Sequence, residues 1–544
     1  MNSSTRVRIA SRLVAPVAAI LLVAGCTATR SEVAPRVTAD GETYEGSFGP
    51  ESAEVVFKGI PYAAAPVGEL RWRPPAPIVP RDGVQDATDY GAGCIQSGGN
   101  VSYTRRIAAA FGGDPEAVPD LGPISEDCLH LNVWTANWAG DEFQPVMVWV
   151  YGGGNSNGTT KEIPYDGTNL ARQGVVVVTI DYRLGALGWM AHPALSAESP
   201  QGSSGNYGLL DQIAALRWVR RNIASFGGDS ERVTVFGESA GGADIISLLT
   251  SPLAEGLVDR AVSQSGGFYG YRTLADTEAA GVRFAAALGI EDDDPEALGK
   301  LRAKTADEIL SGGRGARARF GAPIVDGWVL TDFTPRAFER GEQLDVPLMI
   351  GINADEYTVF LGDAEVSIER YRQRMSRTYG ELLDAALEVY PVADADDVRP
   401  ALLRQGTDDD YLCPTKFQAR SMQQLSSPAY LYHFTRVFPG AGGEQLGAFH
   451  AAEIAYVFDN LAYEHWFPHS AADEELARLM SGYWVRFAAT GDPNGEGLPR
   501  WPAYDETTDQ HLELGESVLV GSGLRTAACE LFERRLEARL SATR

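Results

Sequence analysis

Nearly continuous apolar runs recur along the chain, at Pro145–Val150, Gly174–Asp181, Val233–Phe236 and Val346–Ile352. Such runs predict strands buried on both faces, where every side chain meets apolar neighbours and no polar alternation survives. Val258–Gly266 reads as a further strand, and Ala429–Phe434 is rich in strand-favouring aromatics. Helical stretches lie between them. Asn206–Ile213 opens a helix that continues through Trp218 and Asn222, and the glycines of Phe226-Gly227-Gly228-Asp229 end it. Residues 269–320 and 368–424 read as mostly helical, and Glu51–Pro75 as an irregular proline- and glycine-rich segment after a short strand. Strands alternating with helices predict the α/β class.

Composition adds limits rather than detail. With 544 residues, 44% hydrophobic, and ten tryptophans, the chain can bury a sizeable core. Its formal charge of −27 repels nucleic acid and anionic lipid surfaces. The amino terminus is different in kind. Arg6, Arg8 and Arg12 precede the short apolar stretch Leu13–Ala24, and Val23-Ala24-Gly25-Cys26 resembles a bacterial lipobox. Residues 1–26 are therefore expected to be a lipoprotein signal peptide, with Cys26 lipidated and residues 27–40 a tether. Removing residues 1–26 takes away three arginines and no acid, which moves the charge from −27 to −30. Export leaves Cys94, Cys128, Cys413 and Cys529 as candidates for two disulfides, with three pairings open. No Cys/His cluster has metal-ligand spacing, and no cofactor motif is present.

The stretch with the most chemistry is Val233-Thr-Val-Phe-Gly-Glu-Ser-Ala-Gly-Gly242. A strand, a tight turn and a helix follow one another, with Ser239 at the turn. Gly237 and Gly241 stand two residues either side, where a strained turn brings strand and helix backbones too close for a Cβ. Such an elbow exposes a serine to a base on one side and to helix N-terminal N–H groups on the other. Tyr151-Gly152-Gly153-Gly154 follows the Pro145–Val150 run, so its amides are candidate oxyanion donors. Asp355 and Glu356 lie just past the Val346–Ile352 strand, on the side of the sheet where the elbow sits.

Glu126-Asp127-Cys128-Leu129-His130-Leu131-Asn132-Val133 resembles a signature of the type-B carboxylesterases, the cholinesterase-like branch of the α/β-hydrolases. The blocks around Arg183, Asp211, Ser239, Glu356, His450 and Thr490–Asn494 are similar to the same family, over nearly all of residues 40–535. The resemblance implies one α/β-hydrolase domain over residues 41–535, a large central, mostly parallel sheet with helices on both faces. It implies a triad of Ser239, Glu356 and His450, in the order serine, acid, histidine. Asp355 and Asp326 are the chemical alternatives for the acid. Gly153, Gly154 and Ala240 would supply the oxyanion hole, and the disulfides would be Cys94–Cys128 and Cys413–Cys529. Two positions depart from the family pattern, Asn155 after the glycine triplet and Tyr357 after the acid.

The function implied is hydrolysis of small-molecule carboxylic esters through an acyl-enzyme, without cofactor or metal. The triad also suits carbamates, thioesters and amides, and the family includes non-catalytic cell-surface binding proteins. Residues 95–127 contain no tryptophan, and a tryptophan in that loop is what faces the choline group in cholinesterases; choline esters are therefore disfavoured. Arg183, Asp211, Gln212 and Glu238 read as structural, as do His130, His192, His433, His465, His469 and His511. An extracytoplasmic location on a lipid anchor is expected, and the oligomeric state is left open.

Overall fold

The computed structural model describes residues 34–541, apart from 50–53, 139, 141, 269–271, 292–293, 317, 363–364 and 464–467. The expected signal peptide, residues 27–33 of the expected tether, Cys26 and His465 lie outside the described residues; the rest of that stretch is not a tether, because Arg36–Ala39 pairs as a strand with Glu42–Glu45 and buries Val37 and Ala39. An eleven-stranded sheet organises the rest. In chain order its strands are β1 (Ser47–Phe48), β2 (Val55–Pro61), β3 (His130–Thr135), β4 (Gln144–Val150), β5 (Val176–Ile180), β6 (Gly228–Glu238), β7 (Arg260–Gln264), β8 (Leu348–Asn353), β9 (Ala429–Phe434), β10 (Gln510–Leu514) and β11 (Val518–Ser522). Their order across the sheet is β11-β10-β9-β8-β7-β6-β4-β5-β3-β2-β1. From β5 to β10 all neighbours are parallel, and the pairs at both edges are antiparallel.

The apolar runs fall where this arrangement needs them. Val146–Val150 of β4 is buried at every position. Successive side chains point to opposite faces, so both faces are covered. Of the helices near the site, α1 (Tyr207–Asn222) and α2 (Ala240–Leu248) pack on the sheet, α3 (Leu274–Ala287) and α4 (Ala306–Ala316) pack on each other, α5 (Ala471–Thr490) packs on the sheet, and α6 (Thr526–Ser541) packs on the helix Cys413–Ser421. Trp149 of β4 shows the packing. Its ring meets Phe236 of β6 at 4.8 Å and Phe458 edge-on at 5.0 Å. Short parallel strands joined by helical crossovers place the loops after β4, β6, β7, β8 and β9 side by side at one edge, where ligands of open α/β sheets bind.

Both implied disulfides are present, Cys94–Cys128 and Cys413–Cys529, the second joining the helix Cys413–Ser421 to α6. They close sequence separations of 34 and 116 residues. Loop-closure entropy makes the longer bridge the more stabilising, by about 1 kcal/mol on top of roughly 4 kcal/mol. Denaturant unfolding of the two double variants is therefore expected to rank Cys413→Ser/Cys529→Ser below Cys94→Ser/Cys128→Ser. The opposite ranking would show that native contacts, not chain entropy, set their worth.

Candidate active site

Ser239 stands between the end of β6 and the start of α2 with φ 54° and ψ −122°. A positive φ on a residue with a Cβ costs about 1–3 kcal/mol and persists only where the surroundings over-determine it. Here they do. A Cβ on Gly237 would lie 2.5 Å from the Val150 carbonyl oxygen, and one on Gly241 2.0 Å from the same atom. Only glycines permit β4, β6 and α2 to approach this closely. The Ser239 amide donates to the Gln264 carbonyl at 2.9 Å, which ties the turn to β7. Among the described residues no acceptor meets the N–H groups of Gly153, Gly154 or Ala240.

Glu356 follows β8 and is fully buried. Its Oε2 lies 2.5 Å from His450 Nδ1. Its Oε1 accepts from Ser265 Oγ at 2.5 Å and from the Asn353 amide at 2.8 Å. The acid's alternatives are engaged elsewhere: Asp355 accepts from the Ala448 amide, and Asp326 from Ser203 and the Trp328–Leu330 amides. The imidazole itself packs against the Phe360 and Tyr411 rings, each 5.0 Å away, and the Tyr103 hydroxyl donates to the His450 carbonyl at 2.5 Å. Glu356 and His450 are thus paired, and His450 is in turn reached by Glu238, the residue before Ser239. No hydrogen bond joins Ser239 Oγ to His450 among the described residues; His450 Nε2 instead lies 3.1 Å from Glu238 Oε1.

This contact was not legible from the elbow motif, where Glu238 reads as a buried structural polar group. Burial raises the Glu238 carboxyl well above its ordinary range. Burial pushes His450 toward the neutral form, but the carboxylates of Glu238 and Glu356 outweigh it and raise its pKa to about 9. A neutral Glu238 donating to Nε2 and an imidazolium facing a carboxylate differ by one proton moved across 3.1 Å. Glu453, also raised by burial, accepts from Gln264 and Asn353 behind the histidine.

The two departures from the family pattern have separate explanations. Asn155 is fully buried at φ 54°, its Nδ2 donates to Asp244 Oδ1 at 2.8 Å, and its Oδ1 accepts from the Tyr182 hydroxyl at 3.0 Å. Asp244, on the second turn of α2, also accepts from Gln212 Nε2 of α1 at 2.6 Å. The glycine loop after β4 is therefore bolted to the helix that follows the serine. Tyr357 lies against Phe360 and beneath the Arg374 guanidinium. Arg183 and Asp211 form a buried bidentate ion pair, as their structural reading requires.

A strained serine at a strand–helix turn, unpaired amides beside it and an adjoining buried histidine–carboxylate pair define the α/β-hydrolase arrangement. The chain belongs to the carboxylesterase family, whose model matches residues 40–532, and it is a carboxylic ester hydrolase. It is similar to the fumonisin B1 esterase of Sphingopyxis macrogoltabida, 39% identical over 491 residues, covering 88% of this chain and 86% of that protein. The para-nitrobenzyl esterase of Bacillus subtilis (strain 168) is 36% identical over 489 residues, covering 85% and 92%. Among solved structures, a thermophilic PNB esterase superposes with a TM-score of 0.79 at 30% identity, covering 92% of this chain and all (100%) of that one.

Asp244 carries a testable consequence. Burial raises its carboxyl to about 7, against the hydrogen bonds from Asn155 and Gln212 that lower it. The unfolded chain ionises this group near 3.9, so between roughly pH 4 and pH 7 the folded state holds a proton the unfolded state has lost, and stability falls as pH rises. Above about 7 the contribution is constant. Asp244→Asn removes it. Denaturant unfolding is expected to show the variant gaining on the wild type from pH 5 to pH 7; a constant difference across that window would contradict the raised carboxyl.

Proposed function

We propose that the chain hydrolyses esters by nucleophilic catalysis, with Ser239 as nucleophile, His450 as general base and then acid, and Glu356 as the group that orients and stabilises the imidazolium. The observation that carries this reading is the 2.5 Å contact of buried Glu356 with His450 Nδ1, which supports Nε2 as the nitrogen that exchanges a proton. Nε2 takes the hydroxyl proton as Oγ attacks the ester carbonyl. The carbonyl oxygen, now charged, is met by the free amides of Gly153, Gly154 and Ala240, and one such donor is worth on the order of 10²-fold or more in rate. Collapse of the intermediate expels the alcohol with the proton from Nε2 and leaves the acyl group on Ser239. Water then repeats the sequence, releasing the acid and restoring the serine. The relatives' names span a fumonisin ester, a para-nitrobenzyl ester and pyrethroids, which supports the shared reaction more than any one substrate.

Ser239→Ala is expected to lower kcat/KM for 4-nitrophenyl butyrate by roughly 10³-fold or more while leaving the fold intact. Undiminished turnover would remove Ser239 from the mechanism. Glu238 gives a second test. Attack requires a neutral imidazole, so the acid limb of kcat/KM against pH reports the His450 pKa. Replacing the Glu238 carboxylate by an amide removes one of the charges that raise it. The limb of Glu238→Gln is therefore expected at lower pH than in the wild type; a limb that stays or moves up would mean the carboxylate does not act on His450.

A further inference from the structure

Beside the oxyanion loop the surface opens into a cavity of about 1290 Å³, above the roughly 300–1,000 Å³ of most small-molecule sites. Gly153 and Gly154 form part of its wall, and Leu187 belongs to its apolar lining. Ser239 and His450 do not line it. The two regions nonetheless adjoin, because a Cβ on Gly152 would lie 2.8 Å from that of Ser239. A substrate whose carbonyl is held at the serine therefore has this cavity beside it for a part remote from the bond that breaks.

The charge of the lining is unexpected for this chain. Acidic residues outnumber lysine and arginine by 73 to 46, yet among the described residues the cavity is lined by Arg272, Arg319 and Arg539 and by no acidic side chain. Arg272 precedes α3, Arg319 follows α4 and Arg539 is on α6, so three separate segments converge on one sign. Arg272 Nη1 donates to the Arg319 carbonyl at 3.1 Å, which holds the first two segments together. Neither Arg272 nor Arg319 has a carboxylate at ion-pair distance among the described residues. The acid that feels the Arg272 charge, Asp276, is engaged by the Thr273 amide and hydroxyl at 3.2 and 2.8 Å. Guanidinium groups without an acidic partner present planar pairs of donors that fit a carboxylate.

We propose that this cavity is a carboxylate subsite, and that the favoured substrates are esters bearing a second, anionic carboxyl group away from the scissile bond. The proposal rests on the Ser239 reading above and names the substrate class for it. The acidic surface opposes approach of an anion at long range, but at physiological ionic strength that field is screened within about 8 Å, and the local arginines then decide. Hydrogen bonds from an arginine to a carboxylate change affinity on the order of tenfold to hundredfold.

The test compares charged esters with neutral partners. Mono-4-nitrophenyl glutarate, with the carboxylate on the acyl side, is set against 4-nitrophenyl butyrate; 4-acetoxybenzoate, with it on the alcohol side, is set against phenyl acetate. The quantity read is the ratio of kcat/KM, charged over neutral, which cancels effects on folding and on the serine chemistry. In the wild type at least one ratio is expected to exceed unity by tenfold or more, to fall on adding salt, and to fall at least tenfold in Arg272→Gln/Arg319→Gln. The arm that responds identifies the acyl or the alcohol side. Neutral esters turned over with both ratios at or below unity, or ratios that the double variant leaves unmoved, would overturn the carboxylate subsite alone. No hydrolysis of any of the four above the Ser239→Ala level would overturn the serine mechanism, and the subsite with it.

Discussion

The close approach of three backbone segments at Val150, Gly237 and Gly241 is the constraint on which the site depends. The Val150 carbonyl lies where any Cβ on either glycine would have to be, so the strand carrying the oxyanion loop, the strand before the serine and the helix after it are locked at a spacing only glycine allows. That spacing forces Ser239 into a positive φ, and the strain is held by the parallel ladder of β4, β6 and β7. The same closeness holds the loop of Gly153 and Gly154 against the turn that carries Ala240, and among the described residues none of the three amides meets an acceptor. Position and electrostatics thus come from a single packing event.

Buried charge is the second theme. Glu238, Glu356 and Glu453 all sit within the shell of His450, and burying carboxylates is costly unless they are hydrogen-bonded or neutralised. Glu356 is satisfied by Ser265, Asn353 and the imidazole, and Glu453 by Gln264 and Asn353. Glu238 Oε1 has no hydrogen-bond partner in this arrangement, although the imidazole Nε2 lies 3.1 Å away. This leaves Glu238 as the group through which the surroundings of the nucleophile reach the base. The network of Tyr182, Asn155, Asp244 and Gln212 plays the matching part beneath the oxyanion loop.

Much of this was legible in the sequence because tight turns have few solutions. Gly237, Ser239 and Gly241 can be read from spacing, and the buried strands from their unbroken apolar runs. The acid and the histidine were placed on Glu356 and His450 by resemblance, and the geometry separates Glu356 from Asp355 and Asp326. Other features lacked a local signal. Asn155 read as an open question beside the pocket, whereas its partner Asp244 lies 89 residues on, in the next segment of the site. The hairpin of β10 and β11 carries too few consecutive apolar residues to stand out. The arginines of the cavity are contributed by segments far apart in the chain, and only the fold assembles them.

The most direct measurement of the central claim is covalent capture of the nucleophile by a 4-nitrophenyl phosphotriester, read by mass spectrometry of the intact chain and of its peptides. Attack by an activated serine displaces 4-nitrophenolate and leaves a dialkyl phosphoryl group that the site cannot readily hydrolyse. The account predicts one phosphoryl group per chain, carried on Ser239 and prevented by prior replacement of His450. An unmodified chain, or modification at another residue, would contradict it.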